Sequence, residues 1–396
     1  MAAARTARRL AALGVGGGDR VATALPPGVA FCELLHALPR LGAVLVPLDP
    51  RDPVRVDARI TVTAAVAGAE ADVPLRDTVD PDAVHSVVHT SGTTGRPKAV
   101  ELTYGNHAAS AVAAADALGV QPDDCWLCPL PVFHVGGLGV LIRSVINATT
   151  ARVHDRFDTG AVKYALEGGE VSLASLVPTM LVRLRAAGLG RAPGLRAIAL
   201  GGGPIPAGLL DWARGAALPV LPVYGMTETC SQVAAGSPGR PLRGVELEIA
   251  AHGEILVRGP MVARGSLAPD GWLHTGDLGH LDQDGGLHVD GRVKELIVTG
   301  GENVAPIEVE QVLLSHPAVA DAGVAGRPDP EWGEAVTAFV VLRRPATADE
   351  LRAWCRERLA PHKTPKTVHE VAALPRNAGG KLLRDRLGAT GLSGGR

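Results

Sequence analysis

The chain is short of cysteine, of aromatic residues and of lysine, and each shortage narrows what it does. Five cysteines (Cys32, Cys125, Cys128, Cys230 and Cys355) in 396 residues are few and odd in number, which argues against a disulfide framework and fits a reduced, cytoplasmic protein. Cys125 and Cys128 are spaced like a metal-binding pair. No second pair of ligands lies near them, and residues 125–130 read as a strand that would turn the two thiols to opposite faces. A metal or redox site there is not expected. Aromatic residues make up 3% of the chain, with only three tyrosines. Six lysines stand against 33 arginines, so each retained lysine points to a task that suits a compact ammonium better than a planar guanidinium.

No apolar run approaches the roughly 18–20 residues needed to span a bilayer. The start, residues 1–15, is rich in Ala and Arg but lacks the sustained apolar stretch of a secretory signal, and reads as an amphipathic first helix. Thirty-nine basic side chains nearly balance 41 acidic ones, for a net charge of −2. That balance argues against non-specific partners such as nucleic acid or an anionic membrane.

Hydrophobic residues make up 46% of the chain, and 396 residues are more than one core usually holds, so two domains are expected. Up to about residue 230, apolar strand-like runs alternate with helical segments. Residues 84–89 read as a strand, Asn106 as the cap of a helix ending at Leu118 before Gly119, 195–200 as a strand, 206–215 as a helix and 220–224 as a strand. This alternation implies an α/β fold with parallel sheets covered by helices. From about Pro238, short alternating runs such as 246–249 and 254–257 imply a small β-rich subdomain. After Gly291, runs at 296–298 and 336–342 and helices over 306–315 and 348–359 imply a compact α+β unit, with a boundary near 292–294.

Residues 90–98 follow the first of these strands. They supply hydroxyls from Thr90, Ser91, Thr93 and Thr94, backbone freedom at Gly92 and Gly95, and the charge of Lys98. Free N–H groups, hydroxyls and one ammonium in a glycine loop suit a polyphosphate. The loop is not a Walker A motif, because Pro97 precedes Lys98 and Ala99 follows it where Ser or Thr is needed. A P-loop kinase or GTPase is therefore disfavoured.

This loop resembles the signature of the acyl-adenylate-forming (AMP-binding) superfamily, with Ala99 where the family usually has Gly. Six further stretches resemble the family's motifs in family order. They are Pro131-Val-Phe-His-Val-Gly-Gly137, Gly201-Gly-Gly-Pro204, Tyr224-Gly-Met-Thr-Glu-Thr229, Thr275-Gly-Asp277, Gly291-Arg-Val-Lys294 and Pro375-Arg-Asn-Ala-Gly-Gly-Lys381. Gly301-Glu-Asn-Val-Ala-Pro306, Ser315-His-Pro-Ala-Val-Ala320 and Glu331-Trp-Gly-Glu334 resemble the acyl-CoA ligase branch. The resemblance implies an N-terminal AMP-binding domain over 1–293 and a mobile C-terminal lid over 294–396. ATP, Mg²⁺ and coenzyme A would serve with a small carboxylic acid as the partners.

It also implies roles. Lys381 would bridge the acid's carboxylate and the α-phosphate, Thr227 would donate to that phosphate, and Glu228 would hold Mg²⁺. Tyr224, next to Gly225, would stack on adenine beside Gly201, Gly202 and Gly203. Asp277 would accept the ribose hydroxyls, with Arg292 nearby, His134 would line the acid pocket, and Lys294 would be the hinge. Within the branch, the stretches at 133–138, 201–206, 226–232 and 374–377 resemble members acting on 2-succinylbenzoate in menaquinone synthesis. The second carboxylate of such an acid needs donors. Ser231 and Gln232 are candidates. Arg143 is a weaker one, since nine residues of helix past His134 is about half a turn out of phase. Another aryl- or fatty-acid ligase and a non-catalytic nucleotide-binding relative stay open as alternatives. The 89 residues ahead of the loop are fewer than the family carries, and 57–82 read as short and poorly patterned.

Overall fold

The computed structural model describes residues 1–51, 56–90, 98–206, 208–376 and 382–388. Four sheets follow one another along the chain. The first has strands Ile60–Val62, Arg20–Thr23, Val44–Pro47, Val84–Thr90 and Lys98–Thr103 in that spatial order. The first four run parallel, and the last returns antiparallel, pairing Thr90 with Lys98. Helices Ala2–Ala12 and Val29–Leu41 pack beside it, burying Leu10, Phe31, Leu34 and Leu38. Residues 63–83 hold no helix or strand.

The second sheet orders Arg240–Pro241, Ser231–Ala235, Val220–Met226, Ala197–Leu200, Leu173–Leu176, Cys125–Cys128 and Thr150–Val153. Its strands from 220 to 153 are parallel, and Ser231–Ala235 folds back antiparallel onto Val220–Met226. Leu173–Leu176 and Ala197–Leu200 are buried at every residue, as parallel strands covered on both faces must be. Cys125 is partly exposed and Cys128 is buried.

The third sheet is a four-stranded antiparallel meander, Glu246–Ile249, Glu254–Arg258, Leu273–Leu281 and Leu287–Arg292. The fourth belongs to the C-terminal unit. It pairs Val319–Asp329 with Gly333–Leu342, which also takes Ile297–Thr299 on its other edge and Thr367–Glu370 in parallel. A separate core of Ile297, Val309, Leu313, Val324, Val336 and Leu351 holds it together with helices Pro306–Leu314 and Ala348–Arg356.

Two local readings are corrected. Thr103, not Asn106, caps the helix Tyr104–Leu118. Asn106 sits at the third helical position and completes a reciprocal box, its Oδ1 accepting the Thr103 N–H at 2.9 Å. The helix ends at Gly119 in the left-handed region (φ 61°), as its sequence implied. The helix expected over 206–215 is the shorter Leu209–Gly215. Among the described residues no helix is long and apolar enough to cross a membrane.

Candidate active site

The second sheet meets the third where three side chains converge. Tyr224, on the strand Val220–Met226, donates its hydroxyl to Asp277 Oδ2 at 3.0 Å. Arg292 Nε stands 2.8 Å from Asp277 Oδ1, because Asp277 and Arg292 face each other across the meander. Burial, then the Asp277 charge, pushes the Tyr224 phenol above its usual range. Asp277 is itself buried, so a carboxylate there needs these partners.

The turn ahead of Asp277 is held from behind. Gly276 takes φ +70°, a conformation that favours glycine, and donates its N–H to Glu254 Oε1 at 2.8 Å. Glu254 Oε2 lies 3.0 Å from His252 Nε2 and 3.3 Å from His274 Nδ1. Burial alone would raise the Glu254 carboxyl, but the Gly276 N–H and the two imidazoles hold it below its usual range.

Beyond Tyr224 the chain makes a tight corner. Thr227–Thr229 form one 3₁₀ turn, then Cys230 (φ 53°) and Ser231 (φ 105°) both adopt left-handed backbone. The corner leaves no room beside Gly225, where an added Cβ would lie 1.8 Å from the Ser231 carbonyl oxygen. Gly201 approaches Val223 with similar intimacy, and Gly202 takes φ +83°, whereas Gly203 faces open space. Among the described residues no side chain pairs with the Glu228 carboxylate. A single free carboxylate beside a threonine fits Mg²⁺, which typically takes one or two carboxylates and completes its shell with water and substrate phosphate.

Buried hydrogen bonds fix the corner. Ser110, on the helix Tyr104–Leu118, donates to the Cys230 carbonyl at 2.8 Å and accepts from Arg143 Nη2 at 2.9 Å. His107 Nδ1 lies 3.1 Å from Cys230 Sγ and its Nε2 lies 3.0 Å from Ser86 Oγ. Burial pushes the Cys230 thiol up to about 12. Arg143 is only 3% exposed, yet among the described residues it has no carboxylate partner; its other neighbour is the Trp126 ring, 6.0 Å away. Burial lowers its pKa, the mark of an uncompensated charge. Gln232 is also buried, and among the described residues its Nε2 has no acceptor.

His134 caps the helix Val135–Ile146 in extended backbone and gives that helix no side-chain bond. Burial lowers its pKa and Asp49 partly restores it. Asp49 pairs with Arg51 at 2.8 Å, and Arg51 lies 5.6 Å from the Phe133 ring centre. Nothing in the local sequence marks Asp49 and Arg51, because the first sheet brings them to His134 from 85 and 83 residues upstream.

The remaining candidates lie on the rim or beyond it. Thr90 and Lys98 are paired across the first sheet, while Ser91, Gly92, Thr93, Thr94 and Gly95 lie outside the described residues, as does Lys381. Lys294 is exposed in the 3₁₀ turn Val293–Glu295.

The family model for AMP-binding enzyme matches residues 1–64 and 53–267, and that for the AMP-binding enzyme C-terminal domain matches 308–381. The chain belongs to the AMP-binding enzyme family. Within the family, a 2-succinylbenzoate–CoA ligase from Geobacillus kaustophilus is 42% identical over 444 aligned residues, covering 98% of this chain and 91% of that one. The o-succinylbenzoate CoA synthetase of Bacillus subtilis, in complex with its acyl-adenylate intermediate, is 38% identical with a TM-score of 0.89, covering 98% of this chain and 91% of that one. Its complex with ATP and magnesium ion scores 0.88 at 37% identity, with 98% and 92% coverage. A double mutant of the same enzyme bound to a product analogue, at the same coverage and identity, scores 0.71. The 444-position alignment exceeds the 396 residues of this chain, and the family model restarts at residue 53. Part of the family's first domain therefore has no counterpart inside this chain, at the stretch that reads as short and poorly patterned.

Proposed function

We propose that this chain is a cytoplasmic acid–CoA ligase that activates 2-succinylbenzoate for menaquinone synthesis. The carboxylate attacks the α-phosphate of ATP, giving acyl-adenylate and pyrophosphate. The CoA thiol then takes the acyl group, releasing AMP and a proton. The observation that carries this reading is the likeness, over 98% of the chain, to a synthetase holding its acyl-adenylate.

The site supports each part. Asp277, held by Tyr224 and Arg292, would accept the ribose hydroxyls, since a carboxylate offers about four acceptor positions. The Tyr224 ring offers adenine a face beside Gly201–Gly203. Thr227 and the loop from Thr90 to Lys98 donate to phosphates, Glu228 holds Mg²⁺, and Lys381 neutralises the two anions that must meet. His134 lines the acid pocket. Domains over 1–293 and 294–396, hinged at Lys294, exchange between adenylation and thioester formation.

The acid's second carboxylate finds its charge in Arg143 and its donors in Gln232 and Ser231. A buried guanidinium without a counter-ion and a buried amide without an acceptor are both relieved by an anionic ligand. The test is pyrophosphate release with 2-succinylbenzoate, benzoate and octanoate. A site built around a substrate's polar group rejects analogues lacking it by up to about 10⁴–10⁵ in kcat/KM. Arg143→Met should cut kcat/KM for 2-succinylbenzoate by about 10²-fold and leave benzoate nearly unchanged, in line with losing one charged hydrogen bond. Preference for octanoate, or equal loss for both aryl acids, contradicts the assignment.

A further inference from the structure

The C-terminal unit contains a buried ion triad that none of the proposed catalytic roles uses. Arg384, in the turn Arg384–Arg386, sends Nε to Glu295 Oε2 at 2.6 Å. Its Nη1 donates to Glu310 Oε1 and, at 2.8 Å, to the Val324 carbonyl, while Nη2 reaches Glu310 Oε2 at 3.1 Å. Glu310, on the helix Pro306–Leu314, is 5% exposed and also accepts the Val324 N–H at 2.7 Å. The Arg384 side chain is 16% exposed and that of Glu295 26%. One guanidinium therefore ties three distant segments together: a helix, the strand Val319–Asp329, and the 3₁₀ turn Val293–Glu295 that contains Lys294.

The segment bearing Arg384 is seated independently of that triad. Leu382 bridges antiparallel to Arg376, and the Leu383 N–H donates to the Pro375 carbonyl at 2.9 Å. Arg376 Nη2 lies 2.8 and 2.9 Å from the two Asp321 oxygens. Leu382 and Leu387 press on Gly323, where an added Cβ would meet them at 3.1 and 3.2 Å. Both arms leading to Lys381 are thus fastened to the strand Val319–Asp329, and Arg384 links them to the turn at Lys294.

We infer that Arg384 is a positioning residue: through Glu295 it makes the hinge turn and the segment after Lys381 move as one body. This rests on the ligase reading above, in which Lys381 acts in adenylation and Lys294 is the hinge. Delivery of an ammonium to the α-phosphate is sensitive to placement, since displacements near 1 Å cost about 10²-fold in rate.

The test uses the full chain and measures the two half-reactions separately. Arg384→Met is expected to lower kcat for adenylate formation by about 10²-fold with KM for ATP and acid unchanged. Transfer from supplied acyl-adenylate to CoA should stay within about threefold. In a Lys381→Ala background, Arg384→Met should add no further loss, because both changes act through one ammonium. Glu295→Gln leaves Arg384 anchored by Glu310 and guards against simple misfolding. It should reduce adenylation by about tenfold at an unchanged melting temperature. Additive losses with Lys381→Ala, equal losses in both half-reactions, or an unaffected Glu295→Gln would overturn the inference and show a merely structural ion pair. If Lys381→Ala alone left adenylation intact, the assignment of Lys381 would fail first.

Discussion

Before any nucleotide arrives, the partners that hold Asp277 include the Tyr224 hydroxyl at 3.0 Å and Arg292 at 2.8 Å. The hydroxyl therefore does something that the ring does not. Tyr224→Phe keeps the aromatic face and loses the bond to Asp277. It should raise KM for ATP by about tenfold, the loss of one hydrogen bond to a charged group, with kcat for adenylate formation nearly unchanged. An unchanged KM would show that the Asp277 carboxylate needs only Arg292. Lys381→Ala should remove at least about 10²–10³-fold of adenylation and spare the transfer of acyl-adenylate to CoA. Equal losses in both half-reactions would show that Lys381 does not act in adenylation alone. At this scale the sequence pointed to side chains that the fold brings together at Tyr224, Asp277 and Arg292, the last two each beside a glycine. It was least legible for Arg143. Counting helix turns from His134 set Arg143 out of phase, but its side chain lies back over Gly139 and reaches Ser110 on the next helix. Arg384 was invisible for the same reason: its partners lie 89 and 74 residues away, and only the fold joins them.

Among the elements, the corner after Val220–Met226 is the most constrained. Gly225→Ala would drive a methyl group into the Ser231 carbonyl, so the strand pair must part or shift register. The expected result is a loss of about 1–3 kcal/mol in stability together with loss of ATP binding, read by urea unfolding and by nucleotide titration. Wild-type stability in this variant would mean that the corner is not rigid. Lys294→Pro fixes φ at the turn Val293–Glu295 and should leave adenylation intact while thioester formation falls sharply. Wild-type CoA transfer would remove Lys294 as the hinge. The strands and helices at this scale follow their apolar patterns to within a few residues. The misplaced cap is instructive: Asn106 bonds as a cap would, but reciprocally, with Thr103 in the capping position. Both residue types favour helix starts, and the backbone decides between them.

At the scale of the whole molecule, the order of motifs made the α/β plan and the C-terminal unit legible. The internal shortening showed only as poor patterning until the chain was set beside its longer relatives. The core of the first domain also stores a pH dependence. His85 is 6% exposed, its Nδ1 has no partner among the described residues, and burial followed by the nearby His36 pushes its pKa down to about 4. His107, 4.7 Å from His85, is held well below its usual value by burial. An imidazole kept neutral in the fold gives stability that is present above the unfolded value, about 6.5, and lost as pH falls toward 4. His85 alone accounts for about 3 kcal/mol over that window. Urea midpoints should therefore drop between pH 7 and 4.5, and His85→Leu should flatten the drop; equal slopes would place the dependence elsewhere.

The central claim is that the acid's own carboxylate oxygen attacks the α-phosphate. It is tested most directly by supplying ATP and CoA with 2-succinylbenzoate whose carboxylates carry ¹⁸O, then analysing the products by mass spectrometry. One ¹⁸O is expected in each AMP formed and none in pyrophosphate. Unlabelled AMP, or ADP with labelled phosphate, would contradict it.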